Sequence, residues 1–287
     1  MINQFKIKRI KIKPAVTIKY ILIVLLLCFT ALPLVYVIST AFKPLDELIL
    51  FPPRFFVNRP TFENFSDLFS AINGTVVPFT RYIFNSLFTT VVTVVLSILV
   101  ASLGAYGITK QNVLFAKPIF YVVTIALMFP VAVTQIPNFL IITAQKLPNT
   151  YWALILPKVA GAYSFFLMKQ FCEQLPDPIL EAARIDGAKE IQIFTKIALP
   201  FLRPAWATLA VFCFVASWND FFSPLVYISD EALKTLPLAL NLIAEGGNMA
   251  RAGAMAAATF IMIIPTVVLF TFMQSKVMET MAHSGIK

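Results

Sequence analysis

The sequence predicts an all-α integral membrane protein with six transmembrane helices, and three observations carry that expectation. Of 287 residues, 59% are hydrophobic and only 13% charged, whereas a soluble globular chain has about 45–50% apolar and about 25% charged residues. The mean hydropathy is +0.82. So apolar a chain cannot hide its side chains in one core of this size, and part of its solvent must be lipid. The apolar residues are also grouped into six stretches, each near the roughly 20 residues that cross about 30 Å of hydrocarbon. A soluble enzyme is excluded.

The first stretch, Tyr20–Ala41, is uncharged and follows a basic tail, residues 1–19, holding Lys6, Lys8, Arg9, Lys11, Lys13 and Lys19. Its apolar run exceeds the roughly 7–15 residues of a signal-peptide core, and no small-residue cleavage site closes it. It therefore reads as a retained anchor, which with the following loop makes up residues 20–69. A core over residues 70–276 holds the other five: Tyr82–Thr109, Pro118–Ile142, Tyr151–Phe171, Ala205–Tyr227 and Gly253–Gln274. Pro130 and Pro137 are expected to kink or end the third. Residues 277–287 form a C-terminal tail. Nineteen prolines suit broken or kinked spans.

Charge sets the orientation. With six spans, 15 of the 23 Lys and Arg residues fall on the side of the N-terminus, 7 on the other, and Lys158 lies within a span. Cytoplasmic segments carry the excess of basic residues, so both termini are expected in the cytoplasm. Two connections exceed simple turns: residues 42–80 outside, with Phe62, Phe65 and Phe69, and residues 172–204 inside. Long loops of this kind carry partners.

The inner loop, 172–204, has the strongest local pattern. Asp177 is placed to cap a helix beginning at Pro178, and Gly187 to stop it. A second helix should follow with Ile191, Phe194 and Ala198 on one face, closed by Pro200 and Pro204. Glu181 and Arg184, three apart, are spaced for a surface pair worth a few tenths of a kcal/mol. Two short helices about a glycine turn would thus stand in the cytoplasm.

Glu181-Ala182-Ala183, then Asp186-Gly187-Ala188, Phe194, Leu199-Pro200 and Pro204 resemble the EAA loop of binding-protein-dependent ABC importer permeases. Asn85-Ser86-Leu87, Ala105-Tyr106-Gly107, Trp218-Asn219-Asp220-Phe221 and Thr235-Leu236-Pro237-Leu238 are similar to the carbohydrate branch of that family, the smaller (MalG-like) permease subunit of maltose-type importers. The resemblance covers about residues 70–287. The tail after Glu279 departs from the family's Gly-rich ending, and Lys158 stands where an uncharged residue is expected. The resemblance implies the type I ABC importer permease fold, with the loop as a coupling helix docked on an ATPase subunit. It implies a second homologous permease, two ATPase subunits, an external solute-binding protein and a carbohydrate substrate, in a bacterial cytoplasmic membrane.

Within the spans, Ala101 and Ala105, and Ala250, Ala254 and Ala258 with Gly253 and Ala257, repeat at spacings that permit close helix packing. They serve packing within the chain or contact with a partner permease. An intramembrane Lys is expensive and marks a watery cavity or a partner. Lys158 therefore lines a solute path and meets an acidic group of the substrate, or snorkels outward, or pairs with a carboxylate such as Asp220. Asn219 and Asp220 either bond sugar hydroxyls or neighbour Trp218 as an interfacial anchor. No GxxxxGK[ST] motif occurs, so ATP and its magnesium belong to another chain and this one binds no cofactor. The single His and three scattered Cys suggest neither a metal site nor a disulfide framework, and the basic charge reads as topology, not nucleic-acid binding. An ion-coupled secondary transporter is the alternative; it predicts charged pairs at mid-membrane, for which Lys158 alone qualifies.

Overall fold

A computed structural model describes residues 14–73, 77–111, 113–244 and 252–284. Every regular element among them is helical. The basic residues Lys6 to Lys13, and Ala250, lie outside the described residues. The chain divides into two compact units, Met1–Ser66 with Asn248–Phe260, and Asp67–Gly247 with Ile261–Lys287.

The helices in order are α1 (Pro14–Ala41), α2 (Leu45–Leu48), α3 (Glu63–Asn73), α4 (Phe79–Lys110), α5 (Ala116–Ala126), α6 (Val131–Ala144), α7 (Tyr151–Val159) and α8 (Ala162–Glu173). There follow α9 (Asp177–Ile185), α10 (Glu190–Ile193), a π-helical turn (Phe194–Ala198), α11 (Leu199–Phe201), α12 (Arg203–Trp218), α13 (Phe222–Tyr227), α14 (Leu236–Ala244) and α15 (Ala252–Ser284). Three helices are long and apolar enough to cross a membrane unbroken: Val16–Ala41, Phe79–Lys110 and Ala252–Ser275. The other apolar stretches are broken. The α5–α6 pair bends by 113°, α7–α8 by 42°, and Glu190–Phe201 meets Arg203–Trp218 at 72°.

Prolines and short polar residues explain these breaks. Pro130 precedes α6 in extended backbone, ending the third stretch there, whereas Pro137 is carried inside α6 without ending it. The fourth stretch breaks at Ala160 and Gly161, one turn after Pro157. The fifth was expected to run unbroken to Tyr227, but α12 stops at Trp218 and α13 restarts at Phe222. The interruption contains Asn219 and Asp220.

In the unit containing α1, Phe42, Phe62, Phe65 and Phe260 pack their rings at centroid distances of 5.2–6.2 Å. The buried carboxylate of Glu47 accepts the backbone N–H groups of Asn58 and Arg59 at 3.1 and 3.0 Å. Asn64 donates to the carbonyls of Ala41 and Lys43 at 2.9 and 2.7 Å, satisfying the last carbonyl of α1 and one in the turn that follows it.

In the other unit, α4 is the central helix, packed along α7, α8 and α12. Its buried face is small and polar, including Ser86, Thr90, Thr93, Ser97, Ala101, Ser102 and Ala105. Small side chains let helix backbones approach closely. A Cβ on Gly104 would come within 2.8 Å of the Phe165 ring. Ala101 and Ala105 are buried in the core of this unit, and in the unit containing α1 Gly253 is closed in by Asn64 and Leu48.

Candidate functional site

The hairpin between α8 and α12 is built on one buried cluster. Leu180 of α9, 1% exposed, belongs to it together with Met168, Cys172, Leu175, Ile193, Phe194, Ala198 and Leu202. Ile193 takes the buried position that Ile191 was expected to hold; Ile191 is exposed. A π-helical turn, Phe194–Ala198, follows ahead of Pro200, and its Phe194 and Ala198 are buried as expected. The opposite face of α9 is solvent-facing: Glu181, Ala182, Asp186 and Gly187 are exposed, and Ile185 is 86% exposed. Ala183 and Ala188 lie at the edge, packed against the cluster.

Gly187 ends α9 as expected. Its φ is +81°. Its N–H donates to the Arg184 carbonyl and the Ala188 N–H to the Ala183 carbonyl, each at 3.0 Å, the paired bonds of a Schellman stop. At the other end the expectation fails. Pro176 occupies the N-cap position and Asp177 makes no cap. Its carboxylate instead binds the Lys110 ammonium at 2.7 Å, and that ammonium also donates to the Leu175 carbonyl at 2.7 Å.

A second tie joins the same two elements. Arg184 does not pair with Glu181. It binds Glu190 at 2.7 Å and donates to the Lys110 carbonyl at 3.3 Å. The Glu190 carboxylate also accepts from the Tyr106 hydroxyl at 3.2 Å and the Gln111 amide at 3.4 Å. The Arg184 hydrogen bond is the main reason that the Glu190 carboxyl is held below its usual range and the guanidinium raised above its own. The exposed helix is thus wired to the last turn of α4, a connection the sequence spacing gave no sign of.

Lys158 and Asp220 meet in the interior of the same unit. Their charged atoms are 2.6 Å apart, with side chains 25% and 14% exposed. Each stands at a helix break, Lys158 two residues before Ala160 and Asp220 between α12 and α13. The other oxygen of Asp220 accepts the Ser223 N–H in the first turn of α13 at 3.1 Å. Ser97 donates to the Lys158 carbonyl at 3.4 Å. Ser97 lies about 27 Å along the roughly 48 Å of α4, so the Lys158 backbone is held near the middle of that helix. Lys158 has a carboxylate within its own chain, so its charge does not by itself call for an acidic solute. Asn219 is exposed beside it, its amide donating to the Val215 carbonyl at 3.0 Å. Trp218 is no interfacial anchor: it is buried, stacked on Phe214 and donating to the Met262 carbonyl at 3.0 Å.

At the far end of α4, two stretches singled out separately in the sequence are bonded to each other. Asn85 donates to the carbonyls of Ala232 and Lys234 at 2.9 and 2.8 Å and accepts from the Tyr151 hydroxyl at 2.7 Å. Ser86 accepts the Leu236 N–H at 2.8 Å. One helix therefore connects the hairpin, the ion pair and this cross-linked end.

An apolar helical chain with three helices long enough to cross a membrane and three bent pairs is built as a membrane-embedded protein. The chain belongs to the family of binding-protein-dependent transport system inner membrane components, which it matches over residues 94–276. Members are permease subunits and not enzymes. It is 30% identical over 241 residues to the polygalacturonan/rhamnogalacturonan transport system permease protein YtcP of Bacillus subtilis (strain 168), covering 82% of this chain and 81% of that protein. It is 32% identical over 262 residues to the arabinooligosaccharides transport system permease protein AraQ of Halalkalibacterium halodurans, covering 89% and 90%. Its fold matches a chain of a bacterial ABC transporter involved in the import of the acidic polysaccharide alginate, with a TM-score of 0.79 at 21% identity over 92% of this chain and 98% of that one. The fold is that of an ABC importer permease.

Proposed function

We propose that this chain is one transmembrane subunit of an ATP-driven importer of sugars or oligosaccharides in a bacterial cytoplasmic membrane, with both termini in the cytoplasm. Its partners are a second, homologous permease, two ATPase subunits that bind ATP and magnesium, and an external solute-binding protein. The single observation carrying this reading is the hairpin: an exposed face at Glu181, Ala182, Ile185, Asp186 and Gly187 on a helix whose other face is locked to α4.

The mechanism follows from those ties. When the ATPases close, force on α9 reaches α4 through Lys110–Asp177 and through Arg184–Glu190–Tyr106. Because α4 is one continuous helix, movement of its last turn is passed to Ser97 near its middle and to Asn85 towards its other end. Two conformations separated by a few kcal/mol suffice if nucleotide-dependent contacts favour one of them. Lys158, Asn219 and Asp220 line the solute path at the helix breaks, offering hydrogen-bond donors and acceptors to sugar hydroxyls. Transport of acidic sugars is supported by the named substrates of YtcP and of the alginate importer.

A charged pair between broken spans is also what an ion-coupled secondary transporter would have. The binding-protein-dependent family favours the ATP-driven reading. Reconstitution with cognate ATPase and binding protein in liposomes tests it against a panel of neutral and uronate-containing oligosaccharides. Uptake should require ATP and loaded binding protein. Uptake driven by an ion gradient alone would overturn it.

A further inference from the structure

We infer that the segment Leu50–Phe56 folds back onto the bilayer as an interfacial anchor, seating Phe51 and Phe56 among the lipid headgroups at the C-terminal end of α1. The position of Tyr36 sets the depth. The apolar stretch Val16–Ala41 has 26 residues, or about 39 Å at 1.5 Å per residue, against about 30 Å of hydrocarbon. Centred in the bilayer, it leaves roughly its last three residues among the headgroups and Tyr36 within about 5 Å of the boundary. That is where an amphipathic tyrosine is favoured.

The chain leaves α1 at Ala41 and then returns to that level. The Phe55 ring lies 5.6 Å from the Tyr36 ring, and Phe56 packs against Phe55 at 5.0 Å. Lys43 holds the return in place. Its ammonium stands 5.3 Å from the Tyr36 ring centroid and donates to the Arg54 carbonyl. Phe51 is 93% exposed and Phe56 67% exposed, continuing the exposed apolar surface of α1 beyond its end. Phe56, carried on Phe55 beside Tyr36, comes to the level of the headgroups, and lipid covers an exposed ring there with no further element. Residues 42–66 carry three basic residues, Lys43, Arg54 and Arg59, and three acidic ones, Asp46, Glu47 and Glu63. Binding is therefore apolar and indifferent to headgroup charge.

The test is depth-resolved spin labelling of the assembled transporter in nanodiscs of phosphatidylcholine alone and with phosphatidylglycerol. Nitroxides are placed by Phe51→Cys, Phe56→Cys and, as a reference, Asn58→Cys, after replacement of Cys28, Cys172 and Cys213 by Ser. Positions 51 and 56 should show an oxygen-to-nickel-chelate accessibility ratio several-fold above position 58, equal in the two lipid mixtures. Equal ratios at all three positions would place the segment in water and overturn the inference. Protection from both reagents at 51 and 56 would place it against protein and overturn it equally. If the cysteine-free chain does not assemble, p-benzoylphenylalanine at Phe51 in the native background replaces the labels. Adducts of lipid mass then support the anchor, and adducts to a protein subunit, or none, refute it.

Discussion

The Lys158 ammonium and the Asp220 carboxylate, 62 positions apart in the chain, lie 2.6 Å from each other, Lys158 in the last turn of α7 and Asp220 in the break between α12 and α13. Removing one partner of a fully buried pair costs about 3–5 kcal/mol; partial exposure lowers this to about 2 kcal/mol here. Lys158→Met should lower thermal stability of the purified complex by that amount. The double substitution with Asp220→Asn should recover most of the loss. In proteoliposomes, Lys158→Met should reduce uptake of a uronate-containing oligosaccharide more than that of a neutral one. Equal loss for both sugars would assign the pair to holding the helix breaks together.

Gly187 is the second point of test. A β-branched residue at φ +81° is strained by about 1–2 kcal/mol, although no atom lies within 4 Å of the position of an added Cβ. Gly187→Val should therefore act through the backbone alone, rotating the exposed end of α9. Membrane insertion should be unchanged, while stimulation of ATPase activity by loaded binding protein and sugar uptake both fall. Gly187→Ala should give the same defect more weakly.

Glu190 links pH to the hairpin. Its carboxyl is depressed below the ordinary glutamate value of about 4.3 by the Arg184 hydrogen bond above all. A depressed folded value means that its stabilisation is present above the unfolded pKa and lost as pH falls through the folded one. Amide exchange of residues 184–190 should show constant hydrogen-bond protection between about pH 6 and 8, and protection should fail only under acid conditions below about 4.3. Glu190→Gln should raise exchange there at neutral pH and reduce uptake per ATP hydrolysed.

Gly253 is closed to any side chain. An added Cβ would stand 2.1 Å from Asn64 Oδ1 and 2.8 Å from a Leu48 methyl group. Gly253→Ala should cost about 1–3 kcal/mol by overpacking, measured as a lower melting temperature. Gly107→Ala, where nothing lies within 4 Å, should leave it unchanged.

Orientation is tested by labelling. A cysteine at Asn58 should react from outside with a membrane-impermeant thiol reagent, and one at Lys189 should not, as the excess of basic residues on the N-terminal side requires. The reverse pattern would overturn the topology and the ATPase-docking role of α9 together.

What the sequence determined by itself is what local and compositional physics control. Apolar content and its grouping gave the membrane class and six apolar segments, because hydrocarbon thickness imposes a length on each. The Asp186-Gly187-Ala188 stop was legible because a left-handed residue after a helix favours glycine whatever surrounds it. Pro130 was legible as a break for an equally local reason. Tertiary structure alone decided the rest. Pro137 stayed helical while Asn219 and Asp220 ended α12. Asp177 abandoned its cap for Lys110, 67 residues away, and Arg184 chose Glu190 over Glu181. Lys158 had three sequence readings, and only packing around α4 brought Asp220 to it. A charged side chain takes the partner that three-dimensional packing places within about 3 Å, since the ion-pair energy falls with distance and rises as water is excluded. Sequence spacing reports neither quantity.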